Sequence, residues 1–224
     1  MTLPLKNEPN ILYLGTPVVL ISTENADSTY NIAPMSSAFW LGWRGILGLA
    51  ATSKTTENLI RTRQCVLNLP SINLVGAVNK LARTTGSNPV PDGKLRRGYR
   101  FEPEKFTISG LSPVASETVR APRIAECPVQ LEAVVEALHP VAEHDPAQKG
   151  RIMCIEVRIQ RVHLHDDILL DGDPNRVDPD LWRPLIMSFQ HFYGLGDRLH
   201  PSTLAEIPEA MYRGPDIDRA RTVA

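Results

Sequence analysis

Cysteine is scarce in this chain: Cys65, Cys127 and Cys154 are the three in 224 residues, widely spaced and in no Cys-x-x-Cys pair. That excludes a disulfide framework and a thiolate zinc site, and it fits a reducing compartment. Long apolar runs are missing as well. No stretch approaches the ~18 consecutive apolar residues of a conventional membrane-spanning helix. The N-terminal run Met1 to Glu8 lacks the basic start and apolar core of a secretion signal. The cytoplasm, with no membrane contact, is the expected location. Charge of one sign is also lacking. A formal net charge of −1 gives no bulk attraction to nucleic acid or to an anionic membrane, so no nucleic-acid partner is expected.

Several motifs that carry chemistry have no match here: the Gly-x-Ser-x-Gly elbow, the Walker loop and the Rossmann fingerprint. Without a dinucleotide-binding unit of its own, the chain can hold a nicotinamide cofactor only transiently. His163 and His165 fall on one side of a strand beside Asp166 and Asp167, and Asp171, Asp173 and Asn175 surround Gly172. A solvent-facing strand end accounts for the first group, and the second lacks the remaining ligands of a calcium loop. No metal is expected.

What is present is ordinary for a globular chain: 42% hydrophobic and 22% charged residues, with 19 prolines that imply short elements joined by stiff turns. Pro17 to Thr23 (PVVLIST) is a β-branched run, and the turn residues Asp27-Ser28 lead into extended segments at Tyr30 to Leu41 and Ile46 to Thr52. Thr55 to Arg63 reads as a short helix and Cys65 to Leu69 as a strand stopped by Pro70. Asn73 to Leu81 is a second helix candidate, weakened by Gly76. Arg83 to Gly98 is a long polar connection, of the kind that is functional or disordered. Val129 to Leu138 and Arg151 to His165 are longer strands around the polar turn His139 to Gly150. Many short strands with few helices predict a closed or nearly closed antiparallel barrel. Cys65 reads as a core residue of its strand. The Asp-, Pro- and Arg-rich stretch beyond Asp166 reads as an extension.

Chemistry concentrates between Asn31 and Asn58 (NIAPMSSAFWLGWRGILGLAATSKTTEN). Ser53, Lys54, Thr55 and Thr56 stand just before a helix, where free backbone N–H groups and a partial positive charge suit a phosphate. The same residues also make an ordinary N-cap with a solvated lysine. Asn31, Ser36 and Ser37 are polar in an otherwise apolar run. They either face outward or, with Pro34 and Met35, line a flat ligand with donors and an apolar surface. Trp40 and Trp43 serve barrel packing or wall such a ligand, and the area a Trp buries favours packing. Arg83 and Thr85, in Arg83-Thr84-Thr85-Gly86-Ser87, open the long loop and either close over a cofactor or stay free. His191, in Gln190-His191-Phe192-Tyr193-Gly194, is a candidate proton donor.

The series Pro17 to Thr23, Asn31 to Ser37 and Ser53 to Leu59 closely resembles the flavin reductase-like family. Gly110-Leu111-Ser112-Pro113, Pro122 to Val129 and Leu131-Glu132 extend the likeness over about residues 12 to 195. The resemblance implies an antiparallel split β-barrel of the FMN-binding type, mainly β with short helices (α+β). Residues 1–165 would form the barrel domain, and residues 166–224 a C-terminal extension packed on it or on a dimer partner. It also implies that Asn31, Pro34, Met35, Ser36 and Ser37 line the isoalloxazine and ribityl chain. Ser53, Lys54, Thr55 and Asn58 would hold the phosphate, with Arg83 and Thr85 as further contacts. FMN is the expected cofactor in preference to FAD, with NAD(P)H as transient co-substrate and a homodimer as the assembly. The activity implied is an NAD(P)H:flavin oxidoreductase. A flavoredoxin-like electron carrier without its own nicotinamide site, or a fold recruited for another flavin-dependent reaction, is the alternative. One departure stands out: relatives often carry a Pro-Pro turn where this chain has Trp43-Arg44-Gly45.

Overall fold

The computed structural model describes residues 5–223. The first part of the chain holds β1 (Leu14–Pro17), β2 (Val19–Glu24), β3 (Tyr30–Met35), β4 (Ala38–Leu41) and β5 (Arg44–Ala50), then α1 (Lys54–Thr62) and β6 (Gln64–Leu69). The middle holds only short elements: α2 (Val75–Leu81), β7 (Thr84–Thr85), α3 (Asp92–Leu95), β8 (Arg100–Phe101), α4 (Lys105–Ser109), β9 (Pro113–Val114) and β10 (Arg123–Ile124). Two long strands follow, β11 (Val129–Pro140) and β12 (Ile152–Leu164), then β13 (Ile186–Ser188), β14 (His191–Tyr193) and α5 (Pro215–Arg221).

Seven strands form one antiparallel sheet in the order β3-β2-β6-β11-β12-β5-β4. Its two edge strands, β3 and β4, are consecutive in the chain, with Ser36 and Ser37 alone between them. Three Cα–Cα steps span at most ~11 Å, whereas seven strands laid flat put their edges ~29 Å apart. The sheet must therefore curl until its edges approach at that corner. Gly48 N–H donates to Ser37 C=O at 2.8 Å and pins that corner. A side chain at Gly48 would come within 3.3 Å of Ser37 Cβ, so the small residue permits the approach. β3 and β4 share no ladder, and the barrel stays split there. Register shifts between β11 and β12 at Glu132/Ala133 and Val135/Ala137 add the local bend that curling needs.

Alternation along the strands fills the interior. Val19 and Ile21, Leu47 and Leu49, and Ile155, Val157 and Ile159 point into one core cluster with Cys65 and Leu67. The opposite face of β2 is apolar as well. Val18 and Leu20, with Ile32, pack on Val78 and Leu81 of α2 and on Leu111, Ile124 and Leu185. β2 is thus buried on both faces along its apolar first half, Val19 to Ile21.

The extended segment read as Tyr30 to Leu41 is two strands, because the chain turns at Ser36-Ser37 from one sheet edge to the other. The second helix candidate begins as a 3-10 turn at Ile72–Leu74 and continues as α2. Past residue 165, β13 pairs with both β1 and β14, and α5 lies against β12.

Candidate functional site

A cavity of about 690 Å³ opens at the split corner, within the usual size range for a small-molecule site. β3 gives it one wall through Asn31, Ala33, Pro34 and Met35, and Ser36 and Ser37 line the corner itself. Leu49 and Ala50 end the wall from β5, and Ser53, Lys54 and Thr55 bring in the first turn of α1. Val78 and Leu81 of α2 lie behind. The connection after α2 covers one side with Arg83, Thr84, Thr85 and Gly86, and Met187, Gln190 and Phe192 close the other.

The α1 end is built in detail. Ser53 Oγ accepts from Thr56 N–H at 3.1 Å, as an N-cap does. Thr56 spends its single hydroxyl proton on Ala50 C=O at 2.9 Å, so Ser53 is the donor in the 2.9 Å contact with Thr56 Oγ1. Lys54 Nζ is tied to Glu57 at 2.7 Å. Both side chains therefore serve the helix end, and the donors left open there are backbone amides. The first amides of a helix, here those of Lys54 and Thr55, have no intrahelical acceptor. Thr55 Oγ1 accepts from Asn31 Nδ2 at 3.3 Å, which leaves its own proton to donate. Gly86 closes over this end. A Cβ there would lie 2.6 Å from Asn31 Oδ1 and 3.0 Å from Lys54 Cγ, so any larger residue must displace the Asn31 amide.

Charge in the cavity is of one sign. Lys54, Arg83, Lys94, Arg97 and Lys105 line it, and among the described residues no carboxylate does. Lys94 Nζ donates to Thr85 Oγ1 at 3.0 Å, and Lys94 and Arg97 each lie 5.8 Å from the centre of the Tyr99 ring. Burial and then the nearby Arg97 lower the Lys94 pKa. Lys105 is buried, and its Nζ donates to Asn31 Oδ1 and Ile32 C=O, both at 2.9 Å. Burial, reinforced by Lys94 and opposed by Glu102, lowers its pKa to about 7. Such a cavity suits an anion at the α1 end and a flat, part-apolar body along Pro34, Met35 and Leu49.

Ten of the residues singled out from the sequence line this cavity: Asn31, Pro34, Met35, Ser36, Ser37, Ser53, Lys54, Thr55, Arg83 and Thr85. Asn58 is placed elsewhere. It lies one turn further along the same face of α1 as Thr55 and donates to Thr23 Oγ1 at 3.0 Å and Asn25 Oδ1 at 2.9 Å, tying α1 to β2. His191 is exposed on β14, and its neighbours Gln190 and Phe192 line the cavity in its place. Trp40 and Trp43 pack against the barrel core. Arg44, from the unusual turn, pairs with Glu156 at 2.5 Å and with Asp216 of α5 at 2.9 Å. His163 Nε2 lies 2.8 Å from Glu132, and His165 Nε2 lies 2.9 Å from Ala125 C=O. Lys94, Arg97, Tyr99 and Lys105 were not anticipated. They sit on or beside helices of four and five residues, too short to show a period, and a lysine among polar neighbours reads as solvated.

Comparison with known proteins decides the family, since the pattern of a flavin reductase like domain matches residues 12–196. The chain belongs to the flavin reductase-like family. A Bacillus subtilis (strain 168) relative, the uncharacterized protein YdfE, is 37% identical over 189 residues, 84% of this chain and 88% of that one. Flavoredoxin of Desulfovibrio vulgaris (Miyazaki F) superposes with a TM-score of 0.70 at 21% identity, covering 91% of this chain and all of that one. Nitrilotriacetate monooxygenase component B from Bacillus cereus also gives 0.70, at 16% identity and over 90% of this chain and all of that one. At such identities these two establish the fold, the split barrel of flavin reductases and flavoredoxins. Membership of the flavin reductase-like family makes a flavin the group to test against the cavity. The residues fit it: helix amides and cations at one end, donors at Ser36 and Ser37, and an apolar wall beside them.

Proposed function

We propose that this chain is an FMN-binding, NAD(P)H-dependent oxidoreductase that takes hydride onto bound flavin and passes electrons to an acceptor. The observation that carries the reading is the cationic cavity, lined by no carboxylate among the described residues and ending on the open N-terminus of α1. The amides of Lys54 and Thr55 and the Thr55 hydroxyl would hold the FMN phosphate, under the close cover of Gly86. Pro34, Met35 and Leu49 would support the ring, with Ser36 and Ser37 offering donors at its edge. The cradle at α1 takes one phosphate, as FMN carries.

Bound flavin supplies the redox chemistry, accepting a hydride at N5 and releasing electrons afterwards. The chain's contribution is then placement and exclusion of water, and no protein acid or base is required. His191 lies outside the lining and has no role in this reading. Beyond Ala82 and Arg83 the cavity adjoins a second recess of about 400 Å³ that presents Lys80, Arg83 and Arg100. This basic recess offers a place for the phosphates of a transient nicotinamide co-substrate.

The same reading includes a homodimer in the cytoplasm. Leu12, Tyr13, Leu14, Phe189 and Tyr193 are exposed around β1, β13 and β14 next to the cavity mouth, where a second copy would cover them. No described helix is long and apolar enough to cross a membrane. Mass analysis of the cofactor released from freshly purified protein tests the cofactor assignment. FMN near one per chain is expected, and FAD at full occupancy or colourless protein that takes up neither flavin contradicts it.

A further inference from the structure

A buried amine without a carboxylate stands at the anion-binding end of the cavity. Lys105 is 3% exposed, and no described carboxylate lies within ion-pair distance of it. An ammonium in such a place is costly unless something anionic meets it. Two of its three N–H groups go to neutral acceptors, Asn31 Oδ1 and Ile32 C=O. The third has no acceptor among the described residues, and Lys105 lines the cavity. Its partner Asn31 reaches Thr55 through Nδ2 and touches the space closed by Gly86, so the amine belongs to the α1 end. Lys54, the lysine at the helix start, is already engaged by Glu57.

We propose that Lys105, rather than Lys54, supplies the positive charge that meets the phosphate of the bound flavin nucleotide, and that binding this phosphate charges the amine. The proposal rests on the flavin reading above. The charged groups acting on Lys105 are Lys94, which disfavours its protonation, and Glu102, which favours it. β3 faces it with neutral carbonyls. α2, packed on α4, carries Lys80 as its one ionisable residue, and that side chain is exposed. With burial the strongest influence, the amine is poised near pH 7, part neutral before the ligand arrives. A phosphate beside it raises the pKa again, so binding takes up a proton. Affinity is then highest where the amine is already charged and falls as the pH rises above about 7. The phosphate monoester, with its second pKa at about 6, stays dianionic over that range and adds no slope of its own.

The test is calorimetric titration of the flavin-free full chain with FMN and with riboflavin, above neutral pH, in two buffers of different ionisation heat. Wild type should take up a fraction of a proton with FMN and bind it several-fold more weakly per pH unit, whereas riboflavin, lacking the phosphate, should show neither effect. Lys105→Met should weaken FMN roughly ten- to hundredfold, abolish the proton uptake and leave riboflavin within about twofold. Lys54→Ala should cost FMN less than Lys105→Met does. Unchanged FMN affinity in Lys105→Met, equal loss of both ligands, or FMN binding to wild type without proton uptake overturns the proposal. If Lys105→Met does not fold, the wild-type contrast between FMN and riboflavin decides alone. Should wild type bind neither ligand, the flavin reading itself falls and takes this proposal with it.

Discussion

At the scale of single residues, the cavity depends on a few contacts that leave no slack. Gly86 is one. Asn31 cannot retreat from an added methyl, because Lys105 and Thr55 hold both ends of its amide. Gly86→Ala should therefore weaken FMN by at least about tenfold, roughly 1.4 kcal/mol, with the fold intact. Fluorescence titration would check this, and unchanged affinity would remove Gly86 from the site. Glu132 is another residue with no slack, away from the cavity. It is fully buried, and although burial raises its pKa, His163, the Glu117 and Thr118 amides and the Thr118 hydroxyl together hold it down at about 2. Its folded pKa lies below the ordinary 4.5, so its contribution is present above that value and is lost as the pH falls towards 2. The full difference is on the order of 3 kcal/mol. Urea unfolding should show wild type losing that much more stability than Glu132→Gln between those pH values, and parallel curves for the two would contradict the assignment. The sequence made Asn31, Ser36, Ser37 and Thr55 legible because polar side chains interrupt an apolar run or open a helix. It singled out Asn58 as well, whose side chain ties α1 to β2 outside the cavity lining, because one helical turn is invisible in a list of neighbours.

At the scale of elements, the corner between β3 and β4 positions the site. The strands on either side were legible from β-branched and apolar runs, and α1 from its cap. The break at Ser36-Ser37 was not, since two serines in an extended run do not say that the chain has changed sheet edges. α3 and α4 were invisible for a related reason: elements of four and five residues take their shape from what they pack against. The turn at Trp43-Arg44-Gly45 stands where relatives often carry a Pro-Pro turn. Its guanidinium bridges Glu156 on β12 and Asp216 on α5, and these hydrogen bonds raise the Arg44 pKa and lower that of Asp216. Arg44 lies outside the cavity lining. Arg44→Ala should thus speed amide exchange in α5 while costing at most about 1 kcal/mol of global stability, because the pair is partly exposed. FMN affinity should stay within about twofold. Unaltered exchange in α5 would show that the bridge does not hold it.

At the scale of the whole molecule, a chain of net charge −1 gathers five cations on one cavity and keeps every described carboxylate off its lining. Composition could not show this, because the fold and not the total charge creates the field. The curled sheet brings α1, the loop after α2 and the β13–β14 hairpin to one mouth, and it is this convergence that makes the family's cofactor fit. If the function is hydride transfer through that cofactor, the most direct measurement is an anaerobic titration of the holo-protein with NADH and with NADPH, following the visible flavin band. Bleaching by at least one of them within minutes at millimolar concentration, with modest affinity because little of the dinucleotide is clasped, is the result predicted. Tightly bound FMN that neither nicotinamide bleaches would contradict the account and leave an electron carrier reduced by another protein in its place.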